Sequence, residues 1–331
     1  MKILVTGGAG FIGSNFIRMF LSKYNSYEII NLDRLTYAGN LDNLKDVENN
    51  KNYTFVKGDI CNAALINKLV GQCDAIINFA AETHVDRSII ESGSFVKTDI
   101  LGVHNLLEAA KKHKIQKFLQ ISTDEIYGSI AKGSFTEGSL LQPNSPYSAS
   151  KAGADLLVRA YNKTFEVPTV ITRSSNNFGP YQHPEKFIPL FITDLIEGRK
   201  VPLYGDGLNV RDWLYVIDNC DAIDLIFHEG KAGEIYNIGG DCEKKNIDVV
   251  KLMLEYLNKD ETYVEYVKDR PGHDRRYSLN CAKIKKLGWR PSYKFDEALK
   301  STINWYINNK GWWKKLKLRS KNYYKKQYGN C

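Results

Sequence analysis

Short apolar runs rich in β-branched residues recur through the first half of the chain: KILVT, EIINLD, TFVKGD, AIINFA, KFLQIS and TVITR. Between them the apolar positions shift to helical spacing, from about Phe11, over Gly102 to Lys112 and over Tyr147 to Phe165. This alternation predicts an α/β fold of Rossmann type, a doubly wound parallel sheet with helices on both faces. After Arg173 the rhythm breaks. Prolines at 180, 184, 189 and 202 and glycines at 179, 198, 205 and 207 suit loops that carry ligand contacts beside the sheet's C-terminal edge. Shorter helical patterns near 218–228, 246–258 and 295–308 then predict a smaller C-terminal α/β substrate domain. The expected division is 1–174 for the dinucleotide-binding domain, with room for later segments to return to it, 175–315 mainly for the substrate domain, and 316–331 as a basic tail.

Composition narrows the function classes. A chain of 331 residues with 43% hydrophobic and 25% charged residues has ample material for a buried core and no sign of low complexity. The net charge of +8 would suit a nucleic-acid binder, but seven of the basic side chains fall within residues 314–331 and leave the body near neutrality. The tail therefore reads as a solvated or frayed terminus, and neither nucleic acid nor membrane is expected as a partner. Six cysteines, at 61, 73, 220, 242, 281 and 331, form no CxxC pair and no compact framework, which argues against a metal site and for free thiols in a reducing cytosol. The start MKILVTGG enters a strand without a leader pattern, and no later run reaches membrane-spanning length, so a cytoplasmic protein is expected.

The first motif with chemical content is GxxGxxG at Gly7, Gly10 and Gly13, between the first strand and the first helix. Glycines there let the turn tighten and the backbone approach a pyrophosphate, while the helix N-terminus, Phe11 and Ile12 included, offers free amides to that anion. Asp33 ends the second strand twenty residues beyond Gly13, where a carboxylate accepts hydrogen bonds from adenosine ribose hydroxyls. NAD is thus favoured over NADP, although Arg34 beside it weakens the discrimination. Asp59 closes the third strand, where it suits either an adenine contact or a helix cap.

The second motif is Tyr147-x-x-x-Lys151. Tyr53/Lys57 and Tyr306/Lys310 share the spacing, so position has to choose. Tyr147 and Lys151 lie one turn apart at the start of a helix, directly after the crossover from the strand that ends at Ser122 and Thr123. An ammonium near a phenol favours the phenolate, which can take a proton from an alcohol, and the Thr123 hydroxyl can bind the same oxygen. The other two pairs are better explained by packing.

Together GGAGFIG, the Tyr147/Lys151 pair and NFAAETHVDRSI resemble the extended short-chain dehydrogenase/reductase family acting on nucleotide sugars, over Met1 to about Ile307. Within it, STDEIYG from Ser122 is similar to the dTDP-glucose 4,6-dehydratase branch, with Ile126 in place of that branch's valine. NNFGP, PEKFIP, RDWLYV and DRPGHDRRY are similar to the same branch's substrate segments, with Phe178 where tyrosine is more frequent. The resemblance implies hydride transfer from sugar C4 to NAD assisted by Tyr147, then elimination of water with Glu125 as base at C5 and protonated Asp124 as acid at the C6 hydroxyl. Two close carboxyls beside a dry pocket would split their pKa values as this division requires, although a turn or capping role also suits them. The resemblance adds Thr36, Ile60, Ala80, Thr98 and Asn177 to the cofactor site. It assigns dTDP-glucose to His84, Thr123, Asn176, Glu185, Lys186, Arg211, Asn246, Arg270, His273 and Tyr277. A homodimer through helices near 95–113 and 147–165 is implied as well. Other NAD-dependent nucleotide-sugar enzymes (a GDP-mannose 4,6-dehydratase, a 4-epimerase or a decarboxylase) and a non-catalytic NAD-binding regulator remain as alternatives.

Overall fold

The structure, a computed structural model, describes residues 1–328 and side chains as far as Ser320. Twelve strands are present among them: β1 (Lys2–Thr6), β2 (Glu28–Asp33), β3 (Tyr53–Lys57), β4 (Ala75–Asn78), β5 (Lys117–Thr123), β6 (Thr169–Ser174), β7 (Asn176–Phe178), β8 (Val201–Tyr204), β9 (Val210–Tyr215), β10 (Ile235–Ile238), β11 (Glu243–Lys245) and β12 (Val264–Val267). Seven form one sheet in the order β10-β6-β5-β4-β1-β2-β3, with every neighbouring pair parallel. The chain runs outward from β1 to β3 and returns to place β4 on the other side of β1. A crevice therefore opens at the C-terminal ends of β1 and β4, where doubly wound sheets bind ligands.

Both faces of this sheet are covered. Helices Phe11–Lys23 and Val216–Glu229 bury Phe16, Phe20, Ile223 and Phe227 against Ile3, Val5 and Ile77 on one side. Helices Ala63–Val70, Val103–His113 and Pro146–Phe165 bury Ile66, Leu106 and Val158 against Leu4, Ile76 and Phe118 on the other. Each fully buried side chain of this size contributes about 1.5–3 kcal/mol, so the alternation of core faces along each strand fixes its register. A second core, with Phe191, Trp213, Met253, Leu299 and Trp313 at its centre, lies under β7, β9 and β11 and the helices Phe187–Ile196, Asn246–Tyr256 and Phe295–Asn308. Helix Val216–Glu229 and β10 leave this region and rejoin the large sheet, so residues 175–315 are not one uninterrupted unit.

Three expectations need correction. Residues 187–196 form a buried helix, not a loop. Pro189 is its third residue, where a helix has no partner for the missing N–H, so proline interrupts nothing. The helix expected from Gly102 is entered through a π-helical turn, Val96–Gly102, that the apolar spacing does not reveal. Most consequentially, the basic tail does not begin at 316. Helix Lys310–Tyr328 buries Trp313 and Leu316, and Lys317 Nζ donates to Asp194 Oδ1 at 2.6 Å and Glu197 Oε2 at 3.0 Å. The side chains of Lys321, Lys325 and Lys326 lie outside the described residues. No described helix is long and apolar enough to cross a membrane.

Candidate active site

The dinucleotide side of the crevice is built mainly from backbone. Gly7 has a φ of +70°, and a Cβ on it would lie 2.5 Å from the Ala80 amide nitrogen, so β1 and β4 approach as closely as only glycine allows. A Cβ on Gly13 would lie 2.6 Å from Gly7 O. Gly10 is the N-cap of helix Phe11–Lys23 and offers no side chain to its first turn. The amides of that turn, with Gly7, Gly10, Phe11, Ile12 and Gly13 on the cleft wall, suit a diphosphate. Asp33 lines the same cleft; its carboxylate accepts from the amides of Ala9 (3.0 Å) and Leu35 (2.8 Å), and burial pushes its pKa up. Thr36, Asp59, Ile60, Ala80 and Thr98 are on this wall too. Asp59 is no helix cap: Asn62 caps the helix Ala63–Val70, while Asp59 pairs with Arg34 at 3.2 Å and accepts from Cys61 N at 2.9 Å. That pairing occupies the cation whose presence beside Asp33 blurred the choice between NAD and NADP.

The reacting groups sit where β5 ends. Thr123 caps a single 3₁₀ turn, Asp124–Tyr127, by accepting from Glu125 N at 3.3 Å, so the turn role belongs to Thr123 and both carboxyls are left to the cleft. Asp124 is 2% exposed, and its Oδ2 has no hydrogen-bond partner among the described residues. Burial drives its pKa well above the carboxylate range, and the negative fields of Glu125 and Asp212 drive it further. Glu125 is raised by burial as well, but Arg270, Arg211 and Lys186 all pull it down. Burial thus raises both carboxyls, but their neighbours differ: carboxylates push Asp124 further up, whereas three cations oppose the rise at Glu125.

Tyr147 and Lys151 face the same space from the start of helix Pro146–Phe165, which Ser145 begins with a capping box. The Tyr147 hydroxyl shares the cleft with Thr123, which opposes the rise of its pKa. Its pKa lies well above the ordinary phenol value because of burial first and the nearby carboxylates second. The expected lowering by Lys151 is not seen here, since the ammonium donates to Ile121 O at 2.7 Å. Burial lowers the pKa of Lys151, and Asp99, which the sequence reading missed, opposes that fall. Buried on the π-helical turn, it accepts from Ser150 Oγ (2.6 Å) and Glu82 N (2.9 Å), and it opposes the desolvation of Lys151 together with Asp155. A π-helical turn is itself a frequent mark of a functional site, but it leaves no sequence signal.

On the sugar side, Asn176, Asn177 and Lys186 line the cleft, with Oδ1 of both asparagines buried and unpartnered among the described residues. Arg211, from β9, stacks on Tyr277 with 4.3 Å to the ring centroid and donates to Asp274 O. Arg270 donates to Asp86 Oδ1 at 2.8 Å, while its Nε and the Oδ1 of Asn246 have no hydrogen-bond partner among the described residues. His273, its pKa depressed to about 4 by burial, bonds Asp269, and His84 is buried among cations that keep it neutral. The buried carboxylate of Glu185 is taken up by Arg87, at 2.8 and 3.1 Å. Asp86 and Arg87, which lie in the NFAAETHVDRSI segment without a role assigned there, therefore hold two groups expected to meet substrate.

A glycine-rich turn at the switch point of a doubly wound sheet, opposite a tyrosine, a lysine and a split carboxyl pair, defines a nucleotide-sugar enzyme of the extended short-chain dehydrogenase/reductase class. More narrowly, the chain belongs to the family described as GDP-mannose 4,6 dehydratase, whose model matches residues 4–302. It is 50% identical over 309 residues to the low-salt glycan biosynthesis protein Agl12 of Haloferax volcanii, covering 93% of this chain and 99% of that one. It is 49% identical over 319 residues to a dTDP-glucose 4,6-dehydratase of Actinoplanes sp., covering 95% and 100%. Among solved structures it is similar to the dTDP-glucose 4,6-dehydratase DesIV of Streptomyces venezuelae, solved with NAD bound, with a TM-score of 0.94, 50% identity and coverage of 96% and 100%.

Proposed function

We propose that this chain acts as an NAD-dependent dTDP-glucose 4,6-dehydratase, a hydro-lyase that converts dTDP-glucose to dTDP-4-keto-6-deoxyglucose and water. The observation that carries the reading is the buried pair Asp124 and Glu125, one among carboxylates and the other among cations, which an epimerase has no use for. Bound NAD would supply the hydride chemistry, accepting a hydride from C4 and returning it to C6. Tyr147, positioned by Thr123 and served by Lys151, takes the C4 hydroxyl proton. The C4 ketone acidifies the C5 proton, which Glu125 removes, and Asp124 delivers its proton to the departing C6 hydroxyl, so that water leaves; Glu125 gives a proton back to C5 as C6 is reduced. Arg211, Arg270, Lys186, Asn176, Asn246, His273 and Tyr277 hold the nucleotide diphosphate and sugar, guanidinium forks suiting the diphosphate. Glu185 and His84 act there by fixing Arg87 and the strand-end loop. Asn177 faces the nicotinamide side.

The chain should form a homodimer in the cytoplasm. Val96 and Leu101 on the π-helical turn and Leu156 and Phe165 on helix Pro146–Phe165 are all about half exposed, and the two elements pack side by side, which supplies the apolar face a symmetric pairing needs. The five described cysteines are free, as suits a reducing compartment.

Isotope tracing tests the reaction. With substrate deuterated at C4, the label should appear at C6 of the product, and turnover in heavy water should place solvent deuterium at C5. Label returned to C4 would mean an epimerase, and release of carbon dioxide from a glucuronate a decarboxylase. Comparing dTDP-glucose with UDP-glucose and GDP-mannose tests the nucleotide.

A further inference from the structure

The C-terminal helix Lys310–Tyr328 lies beyond residue 302, where the family match ends, and it reaches back to the cofactor side of the first domain. Trp312 Nε1 donates to Asn43 Oδ1 at 2.9 Å. Asn43, 1% exposed, donates from Nδ2 to Ala9 O at 2.9 Å, and Ala9 N donates to Asp33 Oδ2 at 3.0 Å. Ala9 stands inside the glycine-rich turn, between Gly8 and Gly10, and Asp33 is the carboxylate expected to meet the adenosine ribose.

The chemistry of the two contacts fixes the amide's orientation. An indole N–H can only donate and a carbonyl can only accept, so the side chain of Asn43 satisfies both in one of its two flips and neither in the other. The indole is held in turn by Trp305, with ring centroids 5.0 Å apart, and by Tyr181, at 5.9 Å. Arg18, on the helix whose N-terminus faces the cleft, lies over Tyr181 and donates to Asn43 O. Asn43, on the 3₁₀ turn Leu41–Leu44, therefore has both ends of its side-chain amide and its carbonyl engaged.

We propose that Trp312 is a positioning residue for cofactor retention, holding through Asn43 the glycine-rich turn and Asp33 in the geometry that grips the dinucleotide. The proposal rests on the reading above, in which the same NAD must stay bound between the loss of a hydride at C4 and its return at C6. A grip that loosens in that interval ends the cycle with an oxidised sugar and a lost reduced cofactor, so retention matters more here than in an enzyme that exchanges NAD every turnover.

The test compares parent holoenzyme with Trp312→Phe, Asn43→Leu, the double variant and Leu318→Ala, the last on the same helix but 73% exposed. The rate at which NAD appears in the filtrate after dilution is measured without substrate, and free reduced cofactor per product formed is measured with it. Trp312→Phe keeps an aromatic ring and removes only the donor, so NAD release should rise roughly 3- to 10-fold, the worth of one hydrogen bond. The double variant should release NAD no faster than Asn43→Leu alone, and Leu318→Ala should match the parent. Unchanged release from Trp312→Phe, whatever its melting temperature, or additive effects in the double variant, would overturn the proposal. If either single variant fails to fold, Asn43→Ser reads the same contact. Should the parent show no turnover of dTDP-glucose while release still shifts, the catalytic reading falls and the grip stands.

Discussion

The two halves of the cleft solve different problems with different materials. The dinucleotide half is a contiguous turn, Gly7 to Gly13, plus one carboxylate, and it works through backbone amides and through the absence of side chains. The sugar half gathers charged groups from distant segments and fixes each with another charge: Arg87 with Glu185 across 98 residues, Asp86 with Arg270 across 184. A phosphate needs only directed N–H groups, which local backbone geometry supplies. Elimination needs two carboxyls in opposite states, and only a tertiary field can separate them.

The largest expected effect sharpens that contrast at the reacting pair. Glu125→Gln removes the C5 base but leaves Tyr147 and Thr123 intact, so product formation should fall by about 10²- to 10⁴-fold while C4 oxidation continues. A rise in nicotinamide absorbance near 340 nm without 6-deoxy product would show it, and normal product would remove Glu125 from the mechanism. Next in size is Gly7→Ala, which acts by sterics alone. Its Cβ would meet the Ala80 backbone at a positive φ, and a backbone neighbour cannot swing aside. Cofactor content on purification should drop to near zero, and stability should fall by about 1–3 kcal/mol or more in thermal unfolding. An NAD-loaded, parent-like Gly7→Ala protein would mean that the turn is looser than its contacts indicate.

What could be read from the sequence follows the same division. Six of the seven strands of the large sheet and the helices from Phe11, Tyr147 and Phe295 announce themselves because their burial is periodic, and the glycine motif because its chemistry is local. Helix 187–196 was hidden by Pro189, which breaks a helix except in its first turn. The roles of Asp86, Arg87 and Asp99 were hidden for another reason: each acts on a partner that the fold alone brings near, so even the segment NFAAETHVDRSI, which contains the first two, does not reveal them. The tail misled because its charge was legible and the burial of Trp313 and Leu316 was not.

The pairs on the sugar side offer a more moderate test. Asp86→Ala frees the guanidinium of Arg270 from its 2.8 Å anchor without touching the reacting carboxyls. If Arg270 holds the diphosphate, KM for the nucleotide sugar should rise roughly tenfold, about 1.4 kcal/mol, with kcat within a fewfold of the parent. A fall in kcat at unchanged KM would instead place Asp86 with the chemistry, through the field of Arg270 on Glu125.

The smallest effect concerns Asp99, where stability and activity should move in opposite directions. Burial pushes its pKa up to about 6, against the pull of Lys151 and the bonds from Ser150 and Glu82 N; the carboxylate of Glu82 adds to the rise. The folded-state value exceeds the unfolded one, so the contribution to stability is fully present below about pH 4 and is lost as pH rises through 6, to the extent of about 3 kcal/mol. Asp99→Asn stays neutral and escapes that loss. Its melting temperature should therefore gain on the parent by a few degrees between pH 4 and 7, measured side by side in one buffer series. Yet the ammonium of Lys151 then keeps only Asp155 to oppose its desolvation. Turnover at pH 7 should fall a fewfold, and it should fall less at pH 5.5, where the parent's Asp99 is itself largely protonated. A variant that gains stability without losing activity would show that Asp99 does nothing for the lysine. A variant that loses stability at pH 7 would show that pairing with Lys151 outweighs the cost of burying the charge.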